Sequence, residues 1–379
     1  MDRKNALYLD YNASAPIRKE ALERMIGIYT DYPGNPDSRT HGYGTAAKQI
    51  VSECRSSLSA ILGVSETELV FTGGATESNN MAILGLCDHA RKTGRTHFIT
   101  TSIEHKSVLA AMKRLEELGF QVDWVAPDRS GRIRAEDVLS RVRKETLLVS
   151  VMHVNSETGI IQPVEELGEA LSKTDVFFHV DATQSFGRLN DRIRAMKYDM
   201  LSFTAHKFGG PQGIGGLVLR RKRYRLPPLT PLFFGGQQER GLRPGTTPVA
   251  LVAGMTAAAE LADRECAEAR AKCAAVKEEL LKQLSGLRYT VNGDPAWCVP
   301  NTVNISFDGV DAESLFVALK EEYAFSNGSA CNSGSYAPSY VLTEMGLDDR
   351  LIAEAVRISW DADTAPNFTA LAECVRKLQ

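Results

Sequence analysis

From about residue 67 to residue 220, short runs of apolar and β-branched residues alternate with longer stretches of helical periodicity. The runs predict strands, at residues 68–72, 97–101, 121–126, 147–153, 176–180, 200–204 and 216–219. Predicted helices lie between several of them, at residues 76–93, 106–118 and 164–172. Because the strands are apolar on both faces and alternate with helices, the pattern is typical of a mostly parallel sheet covered by helices.

The last third of the chain has a different organisation. Residues 249–287 are rich in Ala, Glu and Lys and contain no glycine between Gly254 and Gly286, which predicts a long helix, broken once, that links two domains. Strands at 302–307 and 355–359 and helices at 312–323 and 367–378 follow it. We therefore predict an α/β protein of 379 residues, with a large domain at 16–258 and a smaller α+β domain built from 1–15 and 259–379.

The composition excludes several classes of protein. The 44 Lys and Arg against 47 Asp and Glu give a net charge of −3, which argues against direct nucleic-acid binding and against coating an anionic membrane. The first 16 residues lack the apolar stretch of a signal peptide and no apolar run reaches membrane-spanning length, so we expect neither a signal peptide nor a membrane span. The 7 cysteines form no CxxC pair and no Cys/His pair has zinc spacing, so we expect a cytoplasmic protein with free thiols and no protein-ligated metal.

At the ends of two predicted strands lie residues that suit a ligand with a phosphate group and a heteroaromatic ring. Gly73 and Gly74 turn the chain into a helix that begins near Thr76, and a helix N-terminus binds phosphate. Asp181 ends an apolar strand, where its carboxylate can hold a heteroaromatic ring nitrogen protonated. Each segment alone also fits a simpler structure, in which Thr76 only caps the helix and Asp181 only caps the following turn.

A third segment carries Lys207 between an apolar strand and the turn at Gly209-Gly210. A single lysine is usually a solvated surface residue. Downstream of a strand that ends in Asp181, and next to His206, a lysine suits Schiff-base chemistry.

Two other patterns point elsewhere but are weaker. The glycines of residues 210–216 are not in the order of a dinucleotide fingerprint, and a strand follows them, which disfavours a nicotinamide-dependent oxidoreductase. The basic run at 220–225 is typical of a solvated loop after a strand in a chain of this net charge.

Taken together, the motifs resemble those of cysteine desulfurases of the NifS/IscS type, within the class V aminotransferase family of pyridoxal-phosphate (PLP) enzymes. The matching stretches include YLDYNASAP, FTGGATESNN, SIEHKSV, MHVNSETG, HVDATQS, AHKFGGPQGIGGL, RPGTT, SNGSACNSGS and VRISW, between residues 8 and 360. The resemblance implies a PLP-dependent transferase of fold type I, and a homodimer.

The resemblance also implies roles for individual residues around the cofactor. Lys207 would bind PLP as a Schiff base, and His105 would stack on the ring and take part in proton transfer. Asp181 would pair with the pyridine nitrogen, and Gln184 with the phenolic oxygen. The residues implied for the phosphate are Ala75, Thr76, Thr204, His206 and, from the partner subunit, the residue matching Thr246.

On the substrate side, Arg357 would bind the carboxylate of L-cysteine, and Asn155 would lie close to substrate and ring. Cys331 would attack the substrate sulfur, which leaves a persulfide on the enzyme and releases L-alanine. Cys54, Cys266, Cys273 and Cys374 fall in helical patterns and are expected to be core or surface thiols.

The persulfide sulfur would pass to an acceptor protein, for iron–sulfur cluster assembly, RNA thiolation or DNA phosphorothioation. The chain departs from the family pattern at Asn327, Asn332 and Ser156, and it ends at Gln379, soon after the last predicted helix, which favours a dedicated sulfur donor over a scaffold-docking enzyme. Two alternatives stay open. One is a selenocysteine lyase or other PLP-dependent lyase on the same fold, and the other is a non-catalytic interaction subunit.

Overall fold

The computed structural model describes residues 6–327 and 338–379. Within these residues the α-helices are α1 Lys19–Asp31, α2 Gly42–Leu62, α3 Ala75–Leu84, α4 Cys87–Thr93, α5 Lys106–Glu117, α6 Ala135–Leu139, α7 Val164–Leu171, α8 Asn190–Ala195, α9 Val249–Gln283, α10 Ala312–Ala318, α11 Tyr340–Glu344, α12 Asp349–Ala353 and α13 Thr369–Leu378. The strands are β1 Leu7–Tyr8, β2 Leu69–Thr72, β3 His97–Thr101, β4 Gln121–Val125, β5 Thr146–Met152, β6 Phe177–Asp181, β7 Met200–Thr204, β8 Gly215–Leu219, β9 Tyr289–Val291, β10 Thr302–Phe307, β11 Tyr323–Ala324 and β12 Ala355–Ser359.

The central sheet has seven strands in the order β2-β8-β7-β6-β5-β3-β4. Strands β7, β6, β5, β3 and β4 pair in parallel, whereas β8 is antiparallel to both of its neighbours. The prediction of a mostly parallel α/β sheet is therefore confirmed. In such a sheet the carboxyl ends of the parallel strands lie along one edge, where ligands bind.

Both faces of this sheet are buried. On one face Val149 and Phe178 belong to a core that also contains the amino-terminal part of α9, and on the other face Phe98 and Leu148 pack with residues of α3 and α5. This two-sided burial explains why the strands are continuous apolar runs in the sequence. Helices α1 and α2, which were not predicted, pack against α9 on the first face.

Three predicted helices differ from the structure, and one of them, predicted at 312–323, ends at Ala318 before β11. The helix predicted at 76–93 is two helices, because the backbone turns at Gly85, where an added Cβ would lie 3.2 Å from the carbonyl oxygen of Thr230. The predicted break in the long helix is absent, since α9 runs unbroken from Val249 to Gln283. Its carboxyl-terminal part supplies Cys273, Val276 and Leu280 to a second core.

The second core surrounds a three-stranded antiparallel sheet in the order β12-β10-β9. Leu9, from the N-terminal segment, packs into this core, and β1 pairs in parallel with β11. The predicted division into domains at 16–258 and at 1–15 with 259–379 stays a prediction. In the part of the chain that the structure describes, no helix is long and apolar enough to cross a membrane, and no cluster of His, Cys, Asp and Glu has the geometry of a metal site.

Candidate active site

A cleft of about 900 Å³ opens at the carboxyl ends of β5, β6 and β7. Nine of the residues predicted from the sequence line it: Ala75, Thr76, His105, Asp181, Gln184, Thr204, His206, Lys207 and Arg357. They come from both halves of the chain, since Arg357 belongs to β12 of the second sheet. The fold thus brings one lysine, one buried carboxylate and one arginine to a single cavity.

The turn between β2 and α3 forms one wall of the cleft. Gly74 has φ +144°, a conformation that L side chains rarely adopt, and α3 begins at the next residue. The amide of Gly73 donates a 2.6 Å hydrogen bond to Oε2 of Glu77, whose other oxygen accepts from Arg243. A carboxylate already held by this turn shows that its backbone suits anions.

Asp181 lies at the last position of β6 and is only 4% exposed. One carboxylate oxygen accepts a 2.8 Å hydrogen bond from Nδ2 of Asn79, and the other accepts from the backbone amide of Thr183 at 2.9 Å. A buried carboxylate is stable when hydrogen bonds or an opposite charge compensate for its burial. These two donors fix its orientation toward the cleft that it lines.

His105 is connected to the same amide through Ser107. Nδ2 of Asn79 donates to Oγ of Ser107 at 2.8 Å, and that hydroxyl lies 2.8 Å from Nδ1 of His105. The backbone amide of Ser107 donates to the same ring nitrogen at 3.2 Å, so Nδ1 acts as an acceptor at the start of α5. The sequence analysis missed Asn79 and Ser107, although both lie within the motifs FTGGATESNN and SIEHKSV.

Lys207 follows β7 in a short 3₁₀ turn and faces the N-terminal segment. Its Nζ donates to the carbonyl oxygens of Asn12 and Ala13, at 2.6 and 2.8 Å. Nε2 of Gln184 also donates to the carbonyl of Asn12, at 2.9 Å. Beside the lysine, burial and the lysine's charge lower the pKa of His206 to about 4, so this imidazole is neutral at pH 7.

Behind these residues lies Arg188, which the sequence analysis also missed. Its Nη1 donates to Oε1 of Gln184 at 3.2 Å, and its Nη2 donates to the carbonyl of Lys207 at 3.3 Å. Burial lowers the pKa of the Arg188 guanidinium, with Asp361 acting in the opposite direction. Because Oε1 of Gln184 is held by a cation, the amide nitrogen of Gln184 is the end that faces other acceptors.

Arg357 is 3% exposed on β12, and its side chain reaches the cleft. Nη2 forms a 2.5 Å ion pair with Asp10, and Nη1 donates to the carbonyl of Ser156 at 3.0 Å. Its Nε is fully buried and has no partner among the described residues. A buried donor without a partner is energetically costly, and hydrogen bonds from a guanidinium to a carboxylate are strong.

Three predicted site residues lie outside the cleft or outside the described residues. The side chain of Asn155 is buried and closes the turn at 155–158, where its Oδ1 accepts from the amides of Glu157 and Thr158, so contact with substrate stays a prediction. Thr246 lines a neighbouring depression of about 490 Å³ that shares Phe233 with the cleft. Cys331 lies outside the described residues.

The cysteines that the structure describes are poorly suited to act as nucleophiles. Burial raises the pKa of the thiol in each of the six, and in Cys273 it raises the pKa to about 12. Cys54, Cys266 and Cys273 are also buried. The thiolate is the reactive form, and a raised pKa keeps these cysteines protonated and therefore unreactive.

A comparison with protein families finds that residues 7–365 match the aminotransferase class-V family. Among curated proteins, the chain is 41% identical over 360 residues to a cysteine desulfurase IscS of Buchnera aphidicola, an alignment that covers 94% of this chain and 88% of the relative. It is also 41% identical over 361 residues to a cysteine desulfurase IscS of Dechloromonas aromatica, covering 95% of this chain and 88% of that protein.

Solved structures show the same likeness. DndA from Streptomyces lividans superposes with a TM-score of 0.82 at 41% identity, covering 92% of this chain and 98% of that chain. A NifS-like protein has a TM-score of 0.88 at 34% identity, with 98% of both chains covered. A structure of SspA in complex with cysteine has a TM-score of 0.83 at 36% identity and covers 95% of this chain and all of that one.

Proposed function

The chain belongs to the class V aminotransferase family, whose members depend on PLP, and we propose that it is a cysteine desulfurase that moves the sulfur of L-cysteine onto its own Cys331. The observation that carries the proposal is the convergence of Lys207, Asp181 and Arg357 on one cleft at the carboxyl edge of the sheet. Each of these residues supplies a chemistry that the reaction needs: an amine, a carboxylate for a ring nitrogen, and a cation for a substrate carboxylate.

The residues of the cleft fit PLP. The amide of Gly73, in the turn before α3, already binds the carboxylate of Glu77, which supports a phosphate site at this turn, with Thr204 and His206 lining the same cleft. Lys207, Asp181, Gln184 and His105 would hold the rest of the cofactor. PLP supplies an electron sink that weakens bonds to the substrate's α-carbon.

The side chains around this site would control the protons of the reaction. Asp181, fixed by Asn79 and Thr183, would hold a proton on the ring nitrogen. The Nζ of Lys207 would hold the cofactor covalently, and once released it would exchange a proton with substrate. His105 accepts a hydrogen bond at Nδ1, so its Nε2 would be the nitrogen that carries a proton to or from the substrate.

Arg357 would bind the carboxylate of L-cysteine. Its planar guanidinium is held by Ser156 and Asp10 before any ligand arrives, and its Nε is the unused donor. The backbone of Arg357 pairs with that of Ser326, with N···O distances of 2.6 and 3.3 Å. Ser326 lies five residues before Cys331 in the sequence, and Cys331 itself lies outside the described residues.

In the sulfur-transfer step the thiolate of Cys331 would attack the sulfur of the bound cysteine. A sulfur–sulfur bond forms and the carbon–sulfur bond breaks, so that L-cysteine and one enzyme thiol become L-alanine and one enzyme persulfide. The electron pair of the carbon–sulfur bond stays with the carbon fragment, which takes up a proton to become alanine. No external oxidant or reductant is needed.

We further propose a homodimer in which Thr246 contributes to the partner's phosphate site. Thr246 does not line the cleft of its own chain. Helix α1 also presents apolar residues to solvent, since Leu22, Ile26 and Tyr29 are 42%, 53% and 66% exposed, and Phe234 is 85% exposed. Such exposed apolar residues are typical of a subunit interface. We also propose that the protein is cytoplasmic and that it passes the sulfur to an acceptor protein.

Replacing the two reactive groups tests the proposed function. With L-cysteine supplied, Lys207→Ala should abolish alanine formation, and borohydride reduction of the wild type followed by peptide mapping should find the cofactor on Lys207. Cys331→Ala should also abolish alanine formation. If Cys331→Ala keeps full activity toward cysteine, the enzyme is a lyase of the selenocysteine lyase type. A protein that binds no PLP would be a non-catalytic subunit.

A further inference from the structure

Arg357, the residue that would bind the substrate carboxylate, is already paired with a carboxylate of the chain itself. Oδ1 of Asp10 lies 2.5 Å from Nη2 of Arg357. The arginine side chain is 4% exposed and that of Asp10 is 21% exposed. Among the described residues, Asp10 is the one acid within ion-pair distance of this guanidinium.

The backbone holds Asp10 in place. Its carbonyl accepts hydrogen bonds from the amides of Ala13 and Ser14, at 2.9 and 3.3 Å, and from the hydroxyl of Tyr8 at 3.1 Å. Asp10 also forms a backbone bridge with Ser359, two residues after Arg357 on the same strand. The carboxylate is therefore fixed beside the arginine and needs no ligand to bring it there.

The guanidinium keeps donors for a second anion. An arginine side chain has five N–H groups, and one on Nη1 and one on Nη2 are bonded to Ser156 and Asp10. Nε has no partner among the described residues, although it is buried. Nη1 and Nη2 each carry a second N–H group, from which a substrate carboxylate can accept while Asp10 stays in place, so both carboxylates would share one cation.

We propose that Asp10 sets the affinity of the site for amino acids: it orients Arg357 and, as a second carboxylate on the same cation, weakens the binding of substrate and product carboxylates. Two anions on one guanidinium repel each other, and the repulsion is strong where water is excluded. The consequence is a pre-oriented arginine that releases L-alanine readily. Asp10 is thus a positioning residue that also determines affinity. This inference rests on the proposed role of Arg357 in carboxylate binding.

Asp10→Asn separates the two contributions. Asparagine keeps an oxygen that accepts from Nη2, so the orientation of Arg357 is retained while the negative charge is removed. We expect L-alanine to bind the Asp10→Asn holoenzyme about five-fold more tightly than the wild type, as measured by calorimetry. The KM for L-cysteine should fall in the same proportion, and kcat should not rise, because tighter product binding slows release.

The controls distinguish the inference from the proposed function. Asp37→Asn removes one negative charge from an exposed position and should leave alanine affinity unchanged. Asp10→Ser also removes the charge and serves if Asp10→Asn does not fold. Unchanged or weaker alanine binding by the Asp10 variants would overturn the inference. If Arg357→Ala binds alanine as the wild type does, the proposed carboxylate site itself is wrong.

Discussion

The side-chain amide of Asn79 donates a 2.8 Å hydrogen bond to the carboxylate of Asp181. The same nitrogen donates to Ser107, whose hydroxyl contacts His105. One buried amide therefore connects the carboxylate proposed for the ring nitrogen with the imidazole proposed to stack on the ring. Residues of this kind do not touch the cofactor, but they determine how the residues that do touch it are oriented.

Replacing Asn79 tests this connection. Asn79→Ala removes a donor from a buried carboxylate and frees the Ser107 hydroxyl, so we expect PLP affinity to fall about ten-fold. Asn190→Ala is the matched control, because Asn190 is also buried and also donates to a carboxylate, that of Asp263, at 3.0 Å. Cofactor titration by absorbance should show a loss of affinity only for Asn79→Ala. Equal losses in both variants would mean that the effect is general destabilisation.

The turn that is proposed to bind the phosphate makes a second prediction. Gly74→Ala places a Cβ on a residue with φ +144°, 3.4 Å from Oγ1 of Thr204, and should cost about 1–3 kcal/mol of unfolding free energy. Gly94→Ala is the control: it also strains a residue with positive φ (+71°), but no other atom lies within 4 Å of the added Cβ. Both variants should be destabilised in denaturant titrations, but only Gly74→Ala should bind PLP more weakly. Wild-type PLP affinity in Gly74→Ala would contradict the phosphate site.

Glu104 predicts a pH dependence of stability. It is fully buried, and burial raises its pKa from the ordinary value of about 4.5 to about 8. A raised pKa in the folded state means that its contribution to stability is present below pH 4.5 and is lost as the pH rises toward 8. Glu104→Gln resembles the protonated acid and does not titrate. Relative to the wild type, this variant should therefore gain about 1.4 kcal/mol of unfolding free energy per pH unit in that window.

The measurement for Glu104 is denaturant unfolding of the cofactor-free protein at several pH values between about 5 and 8. Glu117→Gln, at an exposed position on α5, is the control and should show no such trend. A constant difference between Glu104→Gln and the wild type across the window would show that Glu104 is ionised in the folded protein.

Arg357→Lys tests the geometry of the carboxylate site. Lysine keeps the charge but loses the planar donors that engage Asp10, Ser156 and a ligand together. We expect the KM for L-cysteine to rise about ten-fold or more, while PLP affinity stays within about two-fold of wild type. Arg350→Lys, on the exposed surface of α12, should leave both values unchanged. A normal KM in Arg357→Lys would exclude bidentate recognition by this residue.

The parts of the fold that the sequence predicts well are those governed by local pattern. The strand ending in Asp181 and the strand before Lys207 lie within one residue of their predicted ends, because continuous apolar runs mark strands buried on both faces. The turn at Gly85 was missed because the contact made there is with a distant segment: the amide of Thr230 donates to the carbonyl of Gly85 at 2.8 Å, and such a contact leaves no signal in the local pattern. The unbroken α9 was missed for a similar reason, since two separate cores support its two halves.

The residues of the candidate site also fall into two groups, those that the sequence predicts and those that it does not. Lys207, Asp181 and Arg357 can be found in the sequence because each lies within a motif that contains or follows a strand: Asp181 ends β6, Lys207 follows β7 and Arg357 lies within β12. Asn79, Arg188 and Asp10 could not be assigned from spacing, because their partners lie far away in the sequence. Asn79 contacts Asp181, 102 positions away, and Arg188 contacts Lys207, 19 positions away. Asp10 pairs with Arg357, 347 positions away, near the other end of the chain. Contacts of that range are set by tertiary packing and leave no periodic signal.

The most direct test of the account is to map the transferred sulfur. The purified holoenzyme is incubated with L-cysteine, digested under conditions that preserve persulfides, and analysed by mass spectrometry, with Lys207→Ala and Cys331→Ser as controls. The account predicts one added sulfur on Cys331 in the wild type and none in either variant. Formation of alanine without added sulfur on Cys331, or with the sulfur on another cysteine, would contradict it.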